Sequence, residues 1–444
     1  MTLRIIDLRK PVGPEQLEAL RQGLHLAVGT GYLARRREWS DWTEQVHKII
    51  QDVADRGDQA VIEYTQTFDR LKLTADKLRV AAEELDAAER DADPSFLAAV
   101  RRAAENIRSY QERIKPKSFQ WDQNGTRLGI RFEPIRRVGV YAPGGKAVYP
   151  STVLMTVIPA QVAGVEEIAV CCSPGFAGKV DPTMLAVCSE LGVTEVYQIG
   201  GAQAIAALAL GTQTIKRVGK IVGPGNIYVQ LAKKELFGQV DIDSFAGPSE
   251  VLIMADKTAR PEFVAADMLA QAEHDPGSAL LVTPSEKLAQ QVAQAVEREL
   301  KTAARAKAIH ESLGIYSAAV VVADMDEAVT IANDFAPEHL QVMVAEPKKI
   351  IGRLKNAGAI FIGHYTPVAL GDYYAGPSHV LPTSGTAKVF SGLSVYDFLK
   401  RTSLISYDQQ ALSKAGADIE VLAKAEGLDM HSRSVTARMD KKDR

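Results

Sequence analysis

The sequence predicts an α/β protein built from two doubly wound domains with a cleft between them. Two observations carry this. From about residue 166 onward, short apolar segments of strand character alternate with helical ones, in two successive series. Strands alternating with helices imply parallel sheets joined by right-handed crossovers. The chain has 444 residues, a prior for about three domains of ordinary size, and its 46% hydrophobic content is ample for real cores.

The elements follow in order. DWTEQVHKIIQDVADRG (41–57) has apolar residues at helical spacing and a stop at Gly57. The segment 92–114 predicts a second helix, entered behind Asp93-Pro94-Ser95. A loop-rich stretch leads to GVYAPGGKAVYPSTVLM (139–155). The first series then reads EEIAVCCS strand, PTMLAVCSELG helix, EVYQIG strand, AQAIAALALG helix, KIVGPGN strand and turn, and IYVQLAKKELFG helix. The second reads VLIMA strand, PEFVAADMLAQAEH helix, ALLVTP strand and SEKLAQQVAQAVERELKT helix. It continues with AAVVVA strand, DEAVTIANDF helix, LQVMVA strand, PKKIIGRLKNAG helix and AIFIG strand. From Leu393 the rhythm breaks, and helical pieces without a strand series are expected, a tail suited to packing on a neighbour.

Composition narrows the function classes. A net charge of −3 offers no general attraction to nucleic acid. Cys171, Cys172 and Cys188 are the only cysteines, which argues against a disulfide framework and for a reducing compartment. The N-terminus MTLRIIDLRKP has no signal-like apolar core, and the apolar run 153–165 is too short to span a bilayer. A soluble cytoplasmic protein is expected. The basic end, residues 441–444, reads as a frayed tail.

Four stretches hold unusual histidines. In MLAQAEHDPGS (268–278), Gln271 and His274 lie about 60° apart on one helix face. They are either a helix end helped by its dipole or a pair aimed at one ligand. Asp275-Pro276-Gly277 would stop that helix abruptly. Glu338 and His339 sit at a helix-to-strand junction, at the rim of a sheet, and form a possible acid/base set. His364, Asp372 and His379 lie in a long Gly- and Pro-rich loop, and Glu426 and His431 in the tail. Gln271, His274, Asp372 and His431 make an N/O donor set that suits Zn²⁺ or a similar divalent ion, although spacing alone cannot assemble them. The turns in IGGAQAIAAL (199–208) and VGPGNIY (222–228) suit phosphate, yet neither matches G-x-G-x-x-G. Cys171 or Cys172 is conceivable as a thiol nucleophile, but neither has a histidine beside it in sequence.

At these residues the chain closely resembles the histidinol dehydrogenase family. The matching stretches are GVYAPGG, YPSTVLM, IGGAQAIAALA, VGPGN, AGPSEVL, LAQAEHDP, APEHL, GDYYAGPSHVLPTSGTA and AEGLDMH. They run in the family's order and cover nearly the whole chain after about residue 45. Ser378 stands where relatives often carry Asn.

The resemblance implies incomplete Rossmann-like domains, a helical N-terminal segment and a C-terminal dimerisation tail. On that reading 1–38 is the N-terminal segment, and 39–140 with 249–392 forms the larger domain, carrying the zinc and catalytic residues. Residues 141–248 form the NAD-binding domain, and 393–444 the tail on a partner subunit. It implies oxidation of L-histidinol to L-histidine via L-histidinal with two NAD⁺, the last step of histidine biosynthesis. One zinc ion per subunit is implied on Gln271, His274, Asp372 and His431, the last supplied by the partner of a homodimer. His339 is implied as general base and Glu338 as water activator. Ser249, His379 and Glu426 join His339 and the zinc ligands at the substrate, and Tyr141, Gln203 and Asn226 contact NAD. The alternative is a related zinc/NAD enzyme acting on another small alcohol, such as a sulfonated propanediol.

Overall fold

A computed structural model describes residues 3–23, 30–144, 148–175, 178–244, 248–274 and 277–439, with backbone only at 22–23 and 30–39. The expected Asp275-Pro276 stop and the basic end 441–444 lie outside the described residues. In chain order the elements begin with β1 (Arg4–Asp7), α1 (Gly13–Gly23), α2 (Thr30–Arg56), α3 (Asp58–Asp69), α4 (Ala82–Asp91) and α5 (Pro94–Ile114). Next come β2 (Phe119–Gln123), β3 (Thr126–Pro134), β4 (Arg137–Ala142), α6 (Pro150–Ala163), β5 (Glu167–Cys172), α7 (Pro182–Glu190) and β6 (Glu195–Tyr197). The chain continues with α8 (Gly201–Leu210), β7 (Lys220–Val222), α9 (Ile227–Leu236), β8 (Asp241–Ile242), β9 (Ser249–Ala255), α10 (Pro261–Ala272) and β10 (Gly277–Thr283). Then follow α11 (Glu286–Leu300), α12 (Ala306–Tyr316), β11 (Ala318–Val321), α13 (Met325–Phe335), β12 (His339–Met343) and β13 (Ala359–Ile362). Last are α14 (Val368–Tyr373), β14 (Leu399–Tyr407), α15 (Gln409–Ala425) and α16 (Asp429–Thr436).

The expected α/β class is observed, with two parallel sheets. One has six strands in the order β1-β11-β10-β9-β12-β13, the other five in the order β6-β5-β4-β7-β8. Both are buried on both faces. Successive residues of β9 go to opposite cores: Val251, Ile253 and Ala255 to one, Leu252 and Met254 to the other. In β5, Val170 and Cys172 face one core, Ala169 and Cys171 the other. This is the period of two that an extended strand imposes, read on two apolar faces at once. Among the described residues no helix is long and apolar enough to cross a membrane.

Four readings differ from the structure. The N-terminal segment contributes β1, which pairs parallel with β11 at the sheet edge. The loop-rich stretch holds the hairpin β2–β3, turned at Asn124-Gly125 with both residues at positive φ (51° and 79°). Asn-Gly between alternating segments is a strong hairpin signal. The tail is not only helical, because β14 pairs antiparallel with β3 along nine residues. PKKIIGRLKNAG forms two 3₁₀ turns instead of a helix. Asn333 of α13 explains this: its side chain takes the Lys355 amide and donates to the Arg353 carbonyl, capturing groups a helix would pair internally. Helix α12 also escaped the sequence reading.

The helices between residues 40 and 114 pack on the five-stranded sheet, not on the six-stranded one with which they were grouped. The start of the tail belongs there too. Phe398 is fully buried in that core, its carbonyl accepts the Ile135 amide, and the Val395 amide donates to Gln111. Replacing Phe398 by Ala removes a ring from a closed core and should cost about 3–5 kcal/mol. Urea unfolding would register this as a lower midpoint, and an unchanged midpoint would show the ring to be dispensable.

Candidate active site

The polar side chains of the second series collect at the amino edge of the six-stranded sheet. Ser249 opens β9, Gly277 opens β10 opposite Ser249, and His339 opens β12 beside Val251. Helix α10 delivers Gln271 and His274 there, because its C-terminus precedes β10. Asp372 follows β13 yet returns to the same edge, since α14 folds back over Phe361. A Cβ on Gly371 would lie 2.6 Å from the Phe361 ring, so only glycine allows that approach.

His339 is buried. Its Nδ1 lies 3.1 Å from the Glu250 carbonyl, a pure acceptor, so Nδ1 carries the proton. Nε2 has no hydrogen-bond partner and lies 3.6 Å from Asp372 Oδ1. Burial pulls the imidazole pKa down, but the carboxylates of Glu338 and then Asp372 outweigh it and raise it to about 9. Any cation held by Asp372 weakens that pull and returns the ring toward the neutral base.

Glu338 is buried beside it, and burial raises its pKa. Its carboxylate accepts the Glu250 amide at 2.9 Å and the Ser249 hydroxyl. The Glu338 amide in turn donates to Glu250 Oε1 at 3.3 Å. Burial first, and the Glu338 carboxylate second, push Glu250 up to about 8.

Gln271 is buried and its amide nitrogen has no partner. Burial lowers the His274 pKa and keeps the ring neutral, against the opposing pull of Asp372. The amide oxygen of Gln271, a neutral imidazole and a carboxylate are the donor chemistry a divalent cation takes. Among the described residues of one chain, these three candidates come together. Among the described residues no cluster of three or more His, Cys, Asp or Glu could hold a metal. Glu426 and His431 are exposed, and no hydrogen bond or ion pair links them to the other site residues among those described.

The three dinucleotide candidates lie on the other sheet, at its carboxyl edge. The Tyr141 hydroxyl, at the end of β4, bonds Ser173 Oγ at 3.0 Å and accepts the Gly201 amide at 3.1 Å. Gln203, in the first turn of α8, is fully buried with both amide atoms unpartnered. Asn226 caps α9 by accepting the Tyr228 and Val229 amides. The turn before it is held by the buried pair Lys233–Asp243, at 2.7 Å, and Asp243 also takes the Gly223 amide. Gly223 has φ +115°, and a Cβ there would strike the Tyr141 carbonyl at 2.1 Å.

The two edges face each other. His379 Nε2 lies 3.1 Å from Ser151 Oγ at the start of α6, and Ser378 donates to the Met155 carbonyl. Burial lowers the pKa of His379. Sequence reasoning missed Glu250, Lys233, Asp243, Ser173 and Ser151. A glutamate opening the apolar strand SEVLIMA was the available signal. For the others, only three-dimensional proximity distinguishes them from ordinary polar residues.

Comparison with known proteins agrees along the chain's length. The family model for histidinol dehydrogenase matches residues 33–439. The histidinol dehydrogenase of Geobacillus kaustophilus (strain HTA426) is 50% identical over 431 residues, 96% of this chain and 99% of that protein. That of Bacillus subtilis (strain 168) is 47% identical over 416 residues, 92% of this chain and 97% of that protein. The crystal structure of histidinol dehydrogenase from Elizabethkingia anophelis superposes with a TM-score of 0.90 at 33% identity, covering 98% of each chain. The chain belongs to the histidinol dehydrogenase family of oxidoreductases.

Proposed function

We propose that the chain oxidises L-histidinol to L-histidine through L-histidinal, using two NAD⁺ and a zinc ion, in a homodimer with shared sites. The observation that carries this is His339: a buried imidazole with Nδ1 committed to a carbonyl and Nε2 unpartnered in the cleft. That is the arrangement of a ring which takes a proton at one nitrogen. The facing edge supports the dinucleotide. The order β6-β5-β4-β7-β8 reverses between β4 and β7, where Tyr141 and Asn226 flank the crevice of a Rossmann-like half.

Gln271, His274 and Asp372 of one chain, with His431 of another, would hold the metal. When bound, Zn²⁺ supplies a Lewis acid that anchors substrate nitrogens, and NAD⁺ accepts hydride. His339 Nε2 takes the alcohol proton as hydride leaves. Glu338 then assists the addition of water to the aldehyde, and a second hydride leaves the hydrate. Ser249 orients Glu338 through its hydroxyl. Ser249, His379 and Glu426 complete the substrate contacts.

Exposed apolar side chains support the dimer. Trp121, Ile405, Val421, Leu422 and Met430 stand open on the three-stranded sheet and the two last helices, with Ile405 at 73% exposure. A patch of this kind marks an interaction surface.

A thiol mechanism has no support. Burial pushes the Cys171 thiol well above its ordinary range, and all three cysteines are buried. Single replacement of Cys171 or Cys172 by Ala should leave turnover within about 3-fold of wild type, because a buried thiol is unreactive. A loss of orders of magnitude would revive the thiohemiacetal route.

Stoichiometry tests the reaction itself. Two NADH should form per L-histidinol consumed, followed by absorbance and product analysis. Release of free aldehyde after a single NADH would sink the two-step reading.

Metal content tests the shared site. His274→Ala and His431→Ala should each weaken zinc binding by at least about 100-fold. Mixed chains of the two variants should regain about a quarter of wild-type activity, since a heterodimer holds one intact site. No recovery on mixing would place His431 and His274 in the same chain's site.

A further inference from the structure

We propose that Glu250 is a positioning residue for the acid/base pair, its side chain holding the segment that carries Glu338 and so setting that carboxylate. This rests on the roles proposed above for those two residues. Glu250 reaches neither the cleft's metal donors nor its dinucleotide edge, so it acts through its neighbours.

Each polar group of Glu250 is engaged with the site. Its amide donates to Glu338 Oε2 at 2.9 Å, fixing the rotamer of that carboxylate. Its carbonyl faces His339 Nδ1 at 3.1 Å, which leaves Nε2 as the reacting nitrogen. Its own carboxyl oxygen accepts the amides of Glu338, at 3.3 Å, and Ser384, at 2.9 Å, and the side chain also takes the Gly385 amide. The residue is 6% exposed.

Pairing of parallel strands does not require this. An apolar residue at the second position of β9 would pack as the following residues do. It would also leave the 338 and 384 amides buried without acceptors. The segments Glu250 grips are the unusual ones. Ala336, two residues before Glu338, and Ser384 itself have positive φ, 50° and 56°. Of the two only Ser384 bonds the Glu250 carboxyl group; Ala336 is the left-handed cap of α13, its amide donating to the Ala332 carbonyl. Side chains disfavour that conformation, and it persists where surrounding bonds over-determine it. At Ser384 Glu250 supplies such a bond, and through the Glu338 amide it ties the same carboxyl group to the start of the segment that carries Glu338 and His339.

The test is steady-state oxidation of L-histidinol and L-histidinal by wild type, Glu250→Ala, Glu250→Gln, Glu338→Gln and the Glu250→Ala/Glu338→Gln double variant. Glu250→Ala should lower kcat for the aldehyde about 100-fold, with both KM values within about 3-fold, because misaligned groups lose rate rather than binding. Glu250→Gln keeps the shape and the Oε1 acceptor, and should lose only about 3- to 10-fold. The double variant should be no slower than Glu338→Gln within about 3-fold, because orienting an absent carboxylate has no value. Multiplicative losses, or a raised KM at unchanged kcat, would overturn the proposal. Should the alanine variant fail to fold, Glu250→Gln and its crystal structure carry the test. A rate equal to wild type, with Glu338 and His339 unmoved, would refute it. A wild-type chain inactive on L-histidinol would refute the functional reading instead. The Glu338 rotamer in the Glu250→Gln crystal would then decide the positioning role by itself: displaced supports it, unmoved overturns it.

Discussion

Both parallel sheets are largely apolar on both faces, Gln341 of β12 with its bond to Asp267 being an exception, and this leaves mainly their ends for chemistry. A strand such as β9 hands alternate residues to two dry cores, so a polar side chain in its middle would have no partner. The ionisable groups therefore gather where strands begin or stop. There the ladder no longer consumes every amide and carbonyl, and the free ones become ligands for side chains. The reciprocal bonds between Glu250 and Glu338 are built from such groups.

The two sheets share one winding. In each, two strands run outward in sequence from a central strand on one side and two on the other: β5 and β6 with β7 and β8 about β4, and β10 and β11 with β12 and β13 about β9. Opposite edges are used. At the carboxyl edge of the five-stranded sheet, α8 and α9 present their N-termini, where free amides and positive dipole ends favour anions such as a pyrophosphate. At the amino edge of the six-stranded sheet, α10 presents its C-terminus, which favours cations. Two copies of one winding, apposed by unlike edges, thus make a cleft with an anion-friendly wall and a cation-friendly wall. The contact of His379 with Ser151 stands between them.

Burial sets the protonation logic. Desolvation lowers the pKa of His274 and His379, while His339, more deeply buried, is pulled the other way by two carboxylates. The difference comes from neighbours rather than from depth. Burial and then the Glu338 carboxylate raise Glu250, while burial raises Glu338 against His339 and the Glu250 amide, which lower it.

The sequence by itself determined the α/β class, most of the alternating elements, and the residue types of the site. It could do so because helix and strand periodicities are local, and because helix entries such as Asp93-Pro94-Ser95 signal themselves within a few positions. The tertiary structure decided what depends on distant partners. β14 forms because β3, more than 260 residues earlier, offers its edge, and PKKIIGRLKNAG fails as a helix because Asn333 captures its backbone. It also joined His339 to Asp372 and revealed Glu250, whose function lies in contacts 88 and 134 positions away that no local pattern encodes. Glu426 and His431 remain exposed and apart from the other site residues within one chain.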